Sequence, residues 1–438
     1  MACGSHRTGG KTVIRLLYNL FLLLTSPLWS AYVAARLLSG SWRDRWRERF
    51  GSVPIPHASG KPRLWIHCVS VGETLAAQPV VKLLRQALPN YEIVFSTTTP
   101  TGQQTARDTL RDWVDYFIYF PLDLPFVVRR VLGRVQPRVL ILFETELWLN
   151  LLAEQKRRGG RVLVLNGRIS DRTARRAPKS RPIYQFMLRC VDFICAQSPT
   201  DAARFIALGA SPSRVEVCGN TKFDQALGAV GRDAEAWRTE LSLPNGAPVI
   251  VVGSTRTPEE EQLIADAYQQ VLHTLPEACL VLAPRHLERV EEVERLLQGR
   301  GWRTHRRSQL PLPDGQHAQV VIVDTFGELA SLYSVADVTV VGGAFAPLGG
   351  QNLFQPLAHG KPVFFGPHTH NFRDIAQLAK AAGVGFEVRT VAELAEGILR
   401  LLHDPKRREQ IAQHAAELIQ KHQGAAQRCV EQVLRWIQ

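Results

Sequence analysis

Residues 64–74 read LWIHCVSVGET. A run rich in apolar and β-branched side chains breaks at Gly72, and Glu73 follows where a helix is expected to begin. Strand, tight turn and helix start together outline the first repeat of an alternating α/β fold. Glu73 has two readings here. It is either a first-turn acid that complements the positive end of the helix dipole, or a general base at the carboxyl end of a parallel strand, where open α/β sheets bind ligands.

The same pattern recurs outward from this stretch. Strands are expected at 64–71, 92–99, 116–120, 139–144, 162–166, 193–197 and 215–219, with helix-period stretches such as 76–88 and 125–135 between them. Residues 226–246 lose strand character, end in LPNG and read as a linker. Strands resume at 248–254, 278–283, 320–324, 338–342 and 362–365, and the tail from 391 is helical. Apolar strands separated by helices imply parallel sheets covered on both faces. The expected fold class is therefore α/β: two Rossmann-like domains facing across a cleft, at 61–225 and at 247–438 with its helical tail. A length of 438 residues suits two cores.

Ahead of these domains, residues 1–12 form a basic tail. Residues 13–38, VIRLLYNLFLLLTSPLWSAYVAARLL, carry only Arg15 and Arg36 as charges. They read as a membrane-anchor helix kinked at Pro27, with Trp29 and Tyr32 at headgroup depth. A cleaved signal peptide and a buried core helix are the competing readings, although the apolar run exceeds a typical signal core. Residues 39–60 start SGSWRDRWRERF, a juxtamembrane segment suited to anionic headgroups or else to a solvated helix.

The composition, 45% hydrophobic and 21% charged, is globular, and a net charge of +13 calls for an acidic partner. Nucleic acid, anionic lipid and phosphorylated substrates all qualify. Nucleic acid fits worst, because the densest basic run, 168–181, has no aromatic on which a base would stack. The seven cysteines show no CxxC pair and there is no clustered histidine, so neither a zinc site nor a disulfide framework is expected. They read as small buried hydrophobes.

Several strand ends carry chemistry. In VGGAFAPLGGQNLFQP, residues 341–356, Gly349 and Gly350 would let backbone N–H groups approach a phosphate at a helix start. Arg285 in APRHLER suits a phosphate or a base, and in DTFGEL Gly327 permits close approach while Glu328 would accept from a ribose diol. In the first domain, FETELWLN places Glu144 and Glu146 as paired acids or as helix caps. NGRIS opens a basic run with Arg168, Arg172, Arg175, Arg176 and Lys179, which would clamp phosphates, lie on a bilayer or form a solvated loop. Lys222 in GNTKFD would balance charge on a leaving phosphate.

In this order, LWIHCVSVGE, FETELW, NGRIS, GNTKFD, GSTR, PRH, DTFGEL, GG followed by GGQN, and GPHTHNFRD resemble the Kdo transferases, the 3-deoxy-D-manno-octulosonic acid transferases of lipopolysaccharide assembly. The resemblance implies a GT-B glycosyltransferase without metal or other cofactor, anchored N-terminally at the cytoplasmic face of the inner membrane among anionic lipids. It implies transfer of Kdo from CMP-Kdo, with inversion, to the phosphorylated disaccharide of a lipid A precursor. Glu73 then matches the general base, and Glu146 and Lys222 match transition-state support. Pro284, Arg285, Phe326, Gly327, Glu328, Asn352, Leu353, Phe354 and Gln355 match the CMP site, beside Gly349 and Gly350. The sequence departs from the family pattern at Gln351 and Arg256, where histidines are usual, and at Gln355, where glutamate is usual. Those departures keep two alternatives open, a transferase for another nucleotide sugar and a non-catalytic binding relative.

Overall fold

The computed structural model describes residues 9–39, 45–57, 60–228 and 233–437. Residues 1–8 of the expected tail, 40–44 and 58–59 of the juxtamembrane segment and 229–232 of the expected linker lie outside them. The chain forms two compact units, one of residues up to Gln225 together with Gln423–Gln438, the other Ala226–His422.

In the first unit seven parallel strands, β1 (Arg63–His67), β2 (Glu92–Thr97), β3 (Tyr116–Tyr119), β4 (Pro137–Phe143), β5 (Arg161–Gly167), β6 (Phe193–Ala196) and β7 (Val215–Val217), lie in the order β3-β2-β1-β4-β5-β6-β7. Their side chains alternate between two buried faces. Leu64, Ile66, Phe95, Ile141 and Phe143 share one core, and Trp65, Val94, Leu140, Leu142 and Val164 share the other. Two covered faces explain why these strands read as unbroken apolar runs. The order reverses between β1 and β4, so the loops after these two strands diverge and leave a crevice at the carboxyl edge.

The second unit repeats the plan with β8 (Val249–Thr255), β9 (Cys279–Pro284), β10 (Thr304–Arg306), β11 (Val320–Ile322), β12 (Val338–Val341), β13 (Val363–Phe365) and β14 (Gly385–Glu387). All are parallel in the order β10-β11-β9-β8-β12-β13-β14, and the reversal falls between β8 and β12. Each strand expected from the sequence is present. The two that were not expected, β10 and β14, are three-residue edge strands that are not fully buried, β10 being polar throughout and β14 reading Gly-Phe-Glu.

Four expectations are corrected. First, the final helix, Ala425–Ile437, is not the tail of the second domain: Ala426, Cys429, Val430 and Val433 enter the first unit's core beside Val80 and Leu84 of the helix Val71–Ala87. Its start is fastened by Asp224, which accepts from the N–H groups of Gly424 at 2.6 Å and Ala426 at 2.9 Å. Second, the segment read as a linker folds from Asp233 onward into the second unit. The helix Ala234–Glu240 there buries Trp237, whose Nε1 donates to Ser331 at 2.7 Å.

Third, the juxtamembrane segment is neither a free charged helix nor a headgroup strip over 45–55. Arg49 is 2% exposed, stacks over Tyr119 and donates to the Thr98 carbonyl at 2.8 Å, while Glu48 accepts from the Tyr119 N–H. Val53 and Ile55 continue into the core. Fourth, 13–38 is not one helix. Gly9–Leu24 and Ser26–Leu38 are separate helices, and the apolar pair Val13–Leu24 and Ser26–Arg36 is bent by 49°. Among the described residues no single helix is long and apolar enough to cross a membrane.

The first helix is held by its polar side. Arg15 and Asn19 donate to Asn150 Oδ1 at 3.3 and 3.2 Å, and the Tyr18 hydroxyl donates to Asp123 at 3.0 Å. Asp123 also accepts from the N–H groups of Asn150 and Leu151, so it caps the helix Leu149–Arg157, whose own preceding residue is Trp148 and offers no side-chain cap. Leu16, Leu20, Phe21 and Leu24 face away and are exposed.

The placement of the last helix is open to test. Val433→Ala removes two buried methyl groups from the first core and is expected to cost about 1–3 kcal/mol. Native-state hydrogen exchange should show lost protection in β1, β4 and β5 with the second sheet unchanged; loss confined to the second sheet would contradict it.

Candidate active site

At the first unit's reversal point, Glu73 occupies the third position of the helix Val71–Ala87, after the N-cap Ser70. Its Oε2 accepts from the Val69 N–H at 2.8 Å, four residues back. This reach is a general helix-start device in the chain: Glu260 accepts in the same way from Arg256 at 3.0 Å, and Glu393 from Arg389 at 2.7 Å. Glu73 thus does serve the helix start. What separates it from the other two is its surroundings.

At Glu260 and Glu393 the N-cap threonine accepts the third N–H of the helix. At Glu73 the N-cap Ser70 instead turns its hydroxyl onto the carboxylate, donating to Oε1 at 3.3 Å. Burial first, and then the neighbouring Glu144 carboxylate, push Glu73 up to about 8. Glu146 adds to the rise, whereas the Val69 N–H and Lys222 oppose it. A partly buried carboxyl poised near neutrality in a strand-end crevice is fit to take a proton. The other titratable group of β1, His67, is fully buried against Phe120 and pulled down to about 3 by burial, so it stays neutral.

Glu144 and Glu146 follow β4, next to β1 in the sheet. Glu144 lies in the left-handed region at φ 60°, an arrangement that costs an ordinary side chain about 1–2 kcal/mol and recurs at functional strand ends. Its carboxylate pairs with Lys222 Nζ at 2.9 Å, both side chains being less than a fifth exposed. Glu146 accepts from Trp148 Nε1 at 3.0 Å, and burial raises its pKa. Three acids and one lysine therefore share this end of the sheet. The sequence pointed to Glu73, Glu146 and Lys222; Glu144 as the lysine's partner, 78 residues away, left no local signal.

Beyond Arg168 the basic run lies in the helix Asp171–Arg189, which sets aside the reading of it as a loop. Thr145 Oγ1 donates to the Arg168 carbonyl at 2.6 Å, tying the loop after β5 to the loop that carries Glu144 and Glu146. Arg172, Arg175 and Arg176 are exposed, and Lys179 stands one helical turn beyond them on the backbone, its side chain outside the described residues.

In the second unit the expected residues come from adjacent strand ends around β8 and β12. Arg285 follows β9 and is exposed, its N–H donating to the Thr255 carbonyl at 2.8 Å. Pro284 is buried beside it, and Phe326 is 76% exposed. Gly327, Gly349 and Gly350 all have positive φ, at 92°, 94° and 83°. A methyl group at Gly349 would also fall 2.1 Å from Asn371 Nδ2.

Three details differ from expectation. Glu328 is not an open acceptor, because it pairs with Arg307 at 3.1 Å and takes the Thr325 hydroxyl. Leu353 and Phe354 are buried at 1% and 2% exposure, which leaves only their backbone for a ligand. The helix after the glycines, Phe354–Ala358, is five residues long, and Asn352 Oδ1 already accepts its first N–H at 2.9 Å, so any phosphate contact there rests on the glycine turns.

Gln351 and Arg256 lie on either side of one glycine. A methyl group placed on Gly343 would lie 2.9 Å from Gln351 Cγ and 3.4 Å from Arg256 Cδ, so both side chains border one glycine. Glu260, 1% exposed, joins the same two loops by accepting from the N–H groups of Arg256 and Phe345.

Two Rossmann-like units with polar strand ends at both reversal points define a GT-B-like α/β protein. The UDP-GlcNAc 2-epimerase of Neisseria meningitidis shares this fold, with a TM-score of 0.58 at 12% identity over 86% of this chain and 99% of its own. Residues 44–225 match the family model described as 3-deoxy-D-manno-octulosonic-acid transferase (kdotransferase). The 3-deoxy-D-manno-octulosonic acid transferase of Haemophilus influenzae is 33% identical over 425 residues, 95% of this chain and 97% of its own length. That of Bordetella pertussis is 35% identical over 437 residues, 97% and 99% of the two chains. The chain belongs to the Kdo transferase family.

Because Gln351 and Arg256 border one glycine, their effects on stability should be coupled. Denaturant unfolding of Gln351→His, Arg256→His and the double variant is expected to show a coupling of about 0.5–3 kcal/mol. Additive changes would contradict their coupling through Gly343.

Proposed function

We propose that the protein transfers Kdo from CMP-Kdo to the disaccharide of a lipid A precursor, with inversion and with Glu73 as general base. The observation that carries this reading is the Glu73 carboxyl, held near neutrality among Glu144, Glu146 and Lys222 in a chain of the Kdo transferase family. As the acceptor hydroxyl attacks the anomeric carbon, its proton passes to Glu73, the new C–O bond forms, and the bond to the CMP phosphate breaks. CMP leaves as an anion. The backbone N–H of Gly349 and the guanidinium of Arg285 offset that charge without a metal, the Gly350 N–H being given to the Gly343 carbonyl at 2.7 Å. Lys222 and Glu146 support the transition state.

Arg172, Arg175, Arg176 and Lys179, with Arg168 ahead of them, fit the acceptor's phosphates, since guanidinium groups bind phosphate oxygens in pairs. The first two helices bring the protein to its lipid substrate. The polar side of the first helix is bound to the first unit, while Leu16, Phe21 and Leu24 of that helix and Leu28 of the second, 61–76% exposed, present an apolar face suited to the interface of a bilayer. On this reading the helices embed at the cytoplasmic face of the inner membrane, with anionic lipid beside the basic groups. The paired replacements Gln351 and Arg256 favour one second reading, an altered nucleotide-sugar donor handled by the same base.

Mass spectrometry of lipid A precursor incubated with CMP-Kdo tests this directly, with addition of Kdo as the expected result. The active Glu73 is deprotonated, so the rate should rise with pH through about 8. Glu73→Gln should lower it by about 10²–10⁴-fold. Undiminished transfer by that variant would remove Glu73 from the mechanism, and transfer from UDP- or GDP-sugars alone would replace the donor.

A further inference from the structure

Cys195, Cys218 and Cys429 are far apart in the chain, yet their sulfur atoms all lie within 4.8 Å of one another, and none of the three residues is exposed. Cys195 is in β6, Cys218 directly follows β7, and Cys429 belongs to the final helix. The proposed transfer chemistry uses none of them. Spacing along the sequence gave no sign of the cluster, because its third member arrives only when the last helix packs on the first unit.

We infer that these three thiols form a binding site for one thiophilic d¹⁰ cation, a class that includes Zn²⁺ and Cu⁺. Metal–sulfur bonds of about 2.3 Å place ligand sulfurs roughly 3.8–4.0 Å apart, within reach of the observed cluster. Soft thiolates select such ions over the hard cations that carboxylates and water hold. No histidine or carboxylate joins the cluster among the described residues, so the protein supplies a three-sulfur set.

The surroundings suit a shared negative charge. The main chain of Asn166 hydrogen-bonds Cys429, and Arg428 Nε donates to the Cys218 carbonyl at 2.8 Å. Asn166 Nδ2, at the end of β5, and Thr221 Oγ1, in the loop after β7, are buried and have no hydrogen-bond partner. On binding, three metal–sulfur bonds form and the thiol protons leave to solvent.

The consequence is a staple. A bound ion would fasten the final helix to β6 and to the loop 218–222, which carries Lys222 to its pairing with Glu144. That loop is already anchored at both ends, by Cys218 N–H on the Ala196 carbonyl at 3.0 Å and Thr221 N–H on Asn166 Oδ1 at 3.1 Å. The ion acts at a distance from bond-making, so occupancy should be read out by binding and stability.

The test titrates the full-length protein, reduced and anaerobic in detergent, with Co²⁺ as a spectroscopic stand-in for Zn²⁺ and separately with Cu⁺. The expected result is one equivalent bound, a thiolate-to-metal charge-transfer band in the near ultraviolet, proton release and a higher melting temperature. Cys218→Ala and Cys429→Ala should lose the band, and Cys279→Ala, a buried thiol of the second unit, should keep it. Should the cluster variants fail to fold, the titration of the unaltered protein decides by itself. Absence of a stoichiometric charge-transfer band with both ions, or an undiminished band in Cys218→Ala, would overturn the site.

Discussion

The ion pair between Lys222 and Glu144, 2.9 Å long and mostly shielded from water, sets the electrostatics of the first unit's strand ends. Three carboxyl groups meet there with one lysine. Two unit charges a few ångströms apart interact by several kcal/mol at the reduced dielectric of such a site, so not every acid can ionise freely. Lys222 is paired with Glu144, and Glu73, raised first by its burial and then by the Glu144 carboxylate, retains its proton toward neutral pH. The same balance carries a stability cost. A carboxyl raised in the folded state contributes stability below the ordinary carboxylate range, and this contribution is lost as the pH rises through about 8. A group that opposes folding at working pH is what a base poised for chemistry looks like.

Sheet topology explains why these groups meet at all. Glu73 follows β1, Glu144 and Glu146 follow β4, and the strand order reverses between those strands. Lys222 arrives from beyond β7 on a loop pinned by Asn166, itself in the left-handed region at φ 53°. The second unit has the same logic at β8 and β12, where Ser254 at φ 61° and the closely approached Gly342 bring two loops together. Backbone strain collects at the carboxyl edges of both sheets, where ligands bind in folds of this kind.

Much of the fold was legible because central parallel strands are covered on both faces and therefore read as continuous apolar runs. β10 and β14 escaped because short, half-solvated edge strands carry no such run. The final helix was assigned to the wrong unit for a different reason: its apolar stripe shows that it is covered, and nothing in the stripe names the surface that covers it. Trp237 hid in an apparent linker for the same cause. At the site, ordered motifs located Glu73, Glu146 and Lys222. Partnerships between distant residues, Glu144 with Lys222, Gln351 beside Arg256 and the three cysteines, exist only in space. Glu73 serves the helix start, and the two roles weighed for it are compatible, since a helix-start acid becomes a candidate base once Ser70 and two further carboxylates surround it.

The account rests on that carboxyl being protonated well above the usual range. Isotope-edited infrared or ¹³C NMR titration of the Glu73 carboxyl, assigned by its loss in Glu73→Gln, measures this without reference to turnover. A midpoint near 8 that falls when Glu144 is replaced by Gln is the predicted result. An ordinary carboxylate midpoint, unmoved by that change, would contradict it.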